Sequence, residues 1–238
     1  MTWAKQNEFN QFLTDKNVVG FFEAPVTLKS GRQSNWYVNF RTIAEDALLL
    51  DLLSDYVVDF LSYLINSGQM QSRPLCLYGV PEGASKAAII AQMKWAKSDP
   101  NYGEGSHPVP MGRAKPKEHG MPKDKFFVGA PRGQTVVLED VTTTAGSLLK
   151  TLANLKEANV DVSATLGLAN RMEKRDDGFS AEEAIQRFDY GAKPLQYFYM
   201  SSALDLLPLA AAKIKPNPKI LSAIEKEFDE YGVSTLKF

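Results

Sequence analysis

Only one cysteine, Cys76, occurs in the 238 residues, and it lies within an apolar run. A disulfide framework is excluded, and a reducing, cytoplasmic compartment is expected. No apolar stretch reaches the ~18 residues of a membrane span, so we expect no contact with a membrane. The polar, charged opening MTWAKQNEFNQFLTDK does not read as a signal peptide. Neither sign of charge is in excess, since 27 Lys and Arg stand against 28 Asp and Glu, for a formal net charge of -1. That balance lacks the basic surplus of a nucleic-acid partner. Internal repeats and low-complexity tracts are also missing.

What is present is a chain 44% hydrophobic, enough for one sizeable core. One α/β domain over 1–238 is therefore the expectation. Apolar residues at helical spacing predict a first helix over Trp3 to Leu13. VTLKSGRQSNWYVNF then reads as two short strands joined by a KSGRQS turn, which a plain hairpin with Arg32 and Gln33 solvated also explains. Glu45 to Asn66 is a long amphipathic helix. LCLYGV, TVVLED, VSATLGLANR and LQYFYMSS are four strands, with helices over roughly Lys86 to Lys97 and Ser147 to Ala158. Strands alternating with helices imply a mainly parallel sheet. Pro218 starts, and Gly232 ends, a C-terminal helix.

Between the first two of these strands lies Ser98 to Arg132, a polar segment without periodicity and too long for an ordinary loop in a compact domain. It carries Arg113, Lys115, Lys117, His119, Lys123 and Lys125. Either it meets an anionic ligand or it is a solvated excursion, and composition leaves both open.

The chemistry concentrates in VVLEDVTTTAGSLLKTL. Ligands of open parallel sheets bind beyond the carboxyl ends of the strands, where Glu139 and Asp140 fall. The loop after them leads into a helix, and backbone N–H groups at a helix start beside hydroxyls cradle phosphate. Carboxylates suit hydroxyl groups or a metal nearby. A sugar phosphate satisfies both demands. A helix cap alone would use Asp140 or Thr144 and leave the rest of the cluster unexplained.

VVLEDVTTTAGS closely resembles the phosphoribosyl pyrophosphate signature of the type I phosphoribosyltransferases: an apolar run, two acids, an apolar residue, then a Thr/Gly/Ser-rich loop. The resemblance implies that Glu139 and Asp140 take the ribose diol and that Thr143, Thr144, Ala145, Gly146 and Ser147 take the 5-phosphate. Ala145 departs from the pattern, which favours glycine there. The implied fold is a central, mainly parallel sheet flanked by helices, with an N-terminal hood over 1–41, a flexible catalytic loop region over 98–132 and a C-terminal helical extension over 203–238.

Three further stretches resemble the orotate phosphoribosyltransferases. FEAPVTLKSGRQSNWYVNF is similar to their N-terminal element. It implies orotate binding by Lys29, Tyr37 and Val38, with Trp36 in the same aromatic segment. A lysine and a flat aromatic surface also suit a carboxylated pyrimidine on physical grounds. RAKPKEHG resembles their flexible catalytic loop, which implies catalytic roles for Lys117, Arg113, His119 and Lys115. The same likeness implies a homodimer in which the loop crosses to the partner's active site. LANRMEKR resembles the strand end whose arginine, here Arg171, contacts the orotate carboxylate. LYGVPEGASKAA lies where type I enzymes have a pyrophosphate loop, here Val80, Pro81, Glu82 and Gly83; a basic residue common at about Gly83 is absent, and Lys86 follows three positions on.

The implied activity is transfer of the phosphoribosyl group from phosphoribosyl pyrophosphate to orotate, with Mg2+ bound mainly through substrate and water rather than by direct protein ligands. The alternatives are a phosphoribosyltransferase for another nucleobase and a non-catalytic sensor of phosphoribosyl pyrophosphate. The near-neutral charge and the intact KPKEHG loop argue against the sensor. Beside this domain, 238 residues leave no room for a second barrel domain.

Overall fold

The computed structural model describes residues 3–28, 30–119, 125–191 and 193–238. Its centre is a four-stranded parallel sheet of β3 (Cys76–Gly79), β6 (Thr135–Thr142), β7 (Val162–Asn170) and β8 (Gln196–Tyr199), in the order β3-β6-β7-β8. These strands are short and apolar because both faces of the sheet are covered. In β6 the side chains from Thr135 to Glu139 are all buried.

One face carries α1 (Gln6–Asp15), α3 (Ala47–Asn66), α4 (Ser85–Lys97) and α7 (Ala203–Ile214); α5 (Gly146–Glu157) and α6 (Ala181–Gln186) cover the other. The long helix expected over 45–66 is present as α3, whose first turn Asp46 caps by accepting from the Leu49 N–H at 2.9 Å. The turn before it is the short α2 (Arg41–Ala44). Leu53, Val57, Leu61 and Leu64 of α3 are all but fully buried, each stabilising by about 1.5–3 kcal/mol relative to exposure.

The short helices α2 and α6 lie outside the sequence expectations. α6 opens with a complete capping box between Ser180 and Glu183, a local signature that Ser-Ala-Glu-Glu displays openly. α7 opens the stretch 203–238 expected to be a helical extension and contains Pro208 in its interior, where proline ordinarily disfavours a helix. Its buried Ala203, Leu206, Leu207 and Ala210 hold it to the core.

The hood is an antiparallel hairpin of β1 (Val19–Thr27) and β2 (Gln33–Val38), with an irregularity between Phe21 and Val26. It packs against α8 (Pro218–Tyr231), where Asn217 caps the first turn and Pro218 opens it. The 98–132 segment contains a minimal antiparallel pair, β4 (Met111–Gly112) with β5 (Phe127–Val128). No helix among the described residues is long and apolar enough to cross a membrane.

Candidate active site

The carboxyl ends of β3, β6 and β7 point to one edge of the sheet, and a cleft of about 710 Å³ lies beyond them. β6 delivers Glu139 and Asp140 to its floor. Glu139 is only 4% exposed, and its Oε2 accepts from the Thr142 hydroxyl at 3.4 Å. Thr143, Thr144, Ala145, Gly146 and Ser147 line the same cleft and lead directly into α5. Backbone N–H groups of that first turn have no helical partners, so the loop is an anion cradle at the positive end of a helix. Ala145 adopts φ 56 and ψ 16, the left-handed conformation. This is the physical reason for glycine at that position in the signature.

Val80, Pro81, Glu82 and Gly83 form the turn between β3 and α4 and make the opposite wall; the Pro81–Glu82 peptide is cis. A Cβ on Gly83 would fall 2.3 Å from Oδ2 of Asp140. The space that a side chain would need there is already filled by the acid.

The hood contributes Tyr37 and Val38 to the cleft, and the end of β7 contributes Arg171. Arg171 is 2% exposed. Its Nε donates to Glu173 at 2.7 Å, its Nη2 to Ser34 at 3.1 Å and its Nη1 to the Trp36 carbonyl at 3.4 Å. Its guanidinium lies 3.6 Å from the centre of the Trp36 ring. Burial pushes its pKa down, against the upward pull of Glu173 and Glu227. A surface arginine closing a strand is thereby ruled out.

Two expectations for the hood are corrected. Trp36 does not border the cleft as part of the aromatic segment beside the pyrimidine; it is fully buried and stacks on Phe228 of α8. Alternation along β2 sends its ring to the other side from Tyr37. Arg32 is not solvated. Its side chain is 11% exposed, lies 4.5 Å over the Tyr231 ring, pairs with Asp176 at 2.7 Å and reaches Glu173 at 3.5 Å. Lys29 lies outside the described residues.

The described residues of the basic loop do not line this cleft, and Lys123 lies outside the described residues. Arg113, Lys115, Lys117 and His119 are not among the residues that line it. Arg113 is half-buried, with its Nε donating to the Phe127 carbonyl at 3.1 Å. Lys115, Lys117 and His119 are exposed, and the Lys117 N–H donates to the Lys125 carbonyl at 2.7 Å. The root of the loop nevertheless abuts the Val80–Gly83 turn: a Cβ on Gly112 would meet the Tyr78 hydroxyl and Pro81.

Sequence reasoning missed three cations. Arg41 and Lys150 line the cleft together with Lys86. Lys150 sits one turn into α5 from Gly146, a spacing visible in the sequence. Lys86 donates to the Ala44 carbonyl at 3.0 Å and ties α4 to α2. Arg175, four residues past Arg171, holds the Thr144 carbonyl through Nη1 and pairs with Asp177 at 3.1 Å. It braces the 143–147 loop from outside. Among the described residues no three His, Cys, Asp or Glu gather as a metal cage; the cleft offers hard oxygen donors in Glu139 and Asp140.

No family model matches the chain. An orotate phosphoribosyltransferase of Bradyrhizobium diazoefficiens is 33% identical over 174 residues, covering 68% of this chain and 81% of that protein. One from Cronobacter sakazakii is 28% identical over 236 residues, covering 96% of this chain and 98% of the other. Among solved structures, an orotate phosphoribosyltransferase of Francisella tularensis superposes with a TM-score of 0.63 at 20% identity, over 94% of this chain and 99% of that one. An adenine phosphoribosyltransferase of Leishmania tarentolae gives 0.52 at 16% identity, over 85% and 91%. Structural likeness thus establishes the fold and leaves the base open.

Proposed function

This chain belongs to the orotate phosphoribosyltransferase family, and we propose that it joins orotate to the ribose of phosphoribosyl pyrophosphate, giving orotidine 5'-monophosphate and pyrophosphate. The observation that carries this is the convergence on one cleft of a diacid, an anion-cradling loop and a buried arginine under an aromatic hood.

Glu139 and Asp140 hold the ribose hydroxyls, and the 143–147 loop holds the 5-phosphate through its N–H groups and hydroxyls. The Val80–Gly83 turn, with Lys86 near it, receives the pyrophosphate. Tyr37, Val38 and Lys29 flank the pyrimidine. Arg171 faces the orotate carboxylate with the N–H groups not used by Glu173, Ser34 and Trp36, since a guanidinium has five donors. Departure of pyrophosphate builds positive charge on the ribose ring and negative charge on the leaving group. Catalysis by this chain is then positioning and charge stabilisation. Magnesium would be held mainly by substrate oxygens and water beside Glu139 and Asp140, whose carboxylates keep to the ribose hydroxyls. When bound, it supplies neutralisation of the pyrophosphate charge.

Lys117 and Arg113, with Lys115 and His119, neutralise the departing pyrophosphate in the neighbouring subunit's cleft. Two observations support this crossing arrangement. These side chains do not line their own cleft. The root of the loop also exposes Val109, Met111 and Val128; Met111 and Val128 pair across β4 and β5, an apolar surface suited to burial in a homodimer.

Loss of orotate absorbance, with and without phosphoribosyl pyrophosphate and magnesium, tests the activity. Orotate should be consumed only with both present. Turnover of another base with no consumption of orotate would overturn the substrate.

A further inference from the structure

We propose that Glu227 of the C-terminal helix is a positioning residue for the base: through Ser34 it holds the Arg171 guanidinium in place, making α8 part of the orotate-recognition shell. This deepens the reading above and rests on Arg171 meeting the orotate carboxylate.

The geometry is a relay. Glu227 Oε2 accepts from the Ser34 hydroxyl at 2.8 Å, and Oε1 accepts from the Asn35 N–H at 2.7 Å. Ser34 in turn accepts from Arg171 Nη2 at 3.1 Å. Ser34 has one proton, and two acceptors lie within its reach, the Glu227 carboxylate and the Trp36 carbonyl at 2.9 Å. The carboxylate is the stronger acceptor. With the proton committed to Glu227, the lone pairs of Ser34 are presented to Arg171 and the Trp36 carbonyl is released to the second guanidinium nitrogen. Glu227 thus sets the direction of a hydroxyl that the arginine leans on.

The surroundings give this contact rigidity. Phe228, the next residue of α8, stacks on Trp36 with ring centroids 6.1 Å apart, and Arg171 lies on the same tryptophan. Asn35 ties back across the hairpin by donating to the Phe22 carbonyl at 2.9 Å. At the helix end, the Lys174 N–H donates to the Tyr231 carbonyl at 2.6 Å and the Val233 N–H to the Met172 carbonyl at 2.8 Å. α8 therefore clasps both the hood strand and the segment that follows Arg171. Glu227 is half-buried, and burial raises its pKa against the pull of Asn35, Ser34 and Arg171. A helix that only needed to stick to the hood would do so with apolar residues, and α8 already buries Ile220, Ile224 and Phe228. A half-buried carboxylate costs stability, and its benefit here lies in orienting the group beside the cleft.

Steady-state kinetics of Glu227→Gln and Ser34→Ala test the proposal. Glutamine keeps the size of the side chain but brings an NH2 donor towards Ser34, and alanine removes the shared hydroxyl while leaving α8 intact. Each should raise the orotate KM about fivefold or more with the phosphoribosyl pyrophosphate KM unchanged. The double variant should be no worse than the poorer single one, since both break one relay. A purely structural role would lower Tm and the active fraction and leave the orotate KM alone, which overturns the proposal. So would equal rises in both KM values. A wild-type protein that does not consume orotate would instead overturn the function, and this inference with it.

Discussion

The carboxylate of Asp140 fills the position that a side chain on Gly83 would occupy, with Oδ2 2.3 Å and Oδ1 2.6 Å from an ideal Cβ. Two segments 57 positions apart, one after β3 and one at the end of β6, close on each other without room for a methyl group. Gly83→Ala must push the acid off its station or move the turn. The expected outcome is a rise of about tenfold or more in the phosphoribosyl pyrophosphate KM, with a smaller change in that of orotate. An unchanged KM would mean that Asp140 does not hold the ribose in this position.

Lys117 is exposed, so Lys117→Ala should leave Tm unaltered. We expect it to lower kcat by well over tenfold, ~1.4 kcal/mol or more in activation energy. Mixing it with Asp140→Asn, after dissociation and reassociation, should restore activity, because a crossed dimer then regains one site with both residues intact. No recovery in the mixture would argue that the loop serves its own subunit.

Ala145→Gly should be close to neutral for stability. Relief of the left-handed backbone is worth about 1–2 kcal/mol. Against it stand the loss of a buried methyl, ~0.8 kcal/mol, and the greater freedom of glycine in the unfolded chain, about 0.4–1 kcal/mol. A denaturant midpoint shifted by the equivalent of more than about 2 kcal/mol in either direction would show that one of these terms is misjudged. A β-branched Val at this site should be clearly destabilising, since the left-handed region disfavours it.

Burial pushes the Cys76 thiol up from 9.0 to about 11. The folded pKa is above the unfolded one, so the stability that the protonated thiol contributes is fully present below pH 9 and is lost as pH rises through about 11. Wild-type unfolding free energy should fall more steeply over that window than that of Cys76→Ala, with the two curves parallel below it. Parallel curves throughout would place the thiol in contact with water.

The acid pair, the Thr/Ser loop and the order of the parallel strands were legible because each is local. An apolar strand, its terminal polar residues and the next helix start are contiguous in VVLEDVTTTAGSLLKTL, and the rule that sites lie beyond strand ends does the rest. Ala145 was visible as a departure, and only its φ of 56 explains why the position matters. Arg32 looked solvated because a Gly-Arg-Gln turn carries no sign of what lies above it. α7 carries Pro208 in its interior, and the proline's effect on the helix is offset by a buried face that composition does not reveal.

By itself, then, the sequence determined the succession of the sheet strands, the ribose-phosphate chemistry and the candidate residues, since these follow from periodicity and from neighbours along the chain. Tertiary structure alone decided how those residues are supported. Ser34 meets Glu227 from 193 positions away, and Arg171 meets Trp36 across 135. It also kept Arg113, Lys115, Lys117 and His119 out of the lining of their own chain's cleft. Such contacts are selected by packing of whole elements, helix α8 against the hood and the β3 turn against β6, and close packing favours the pairings that fill space and satisfy most buried polar groups.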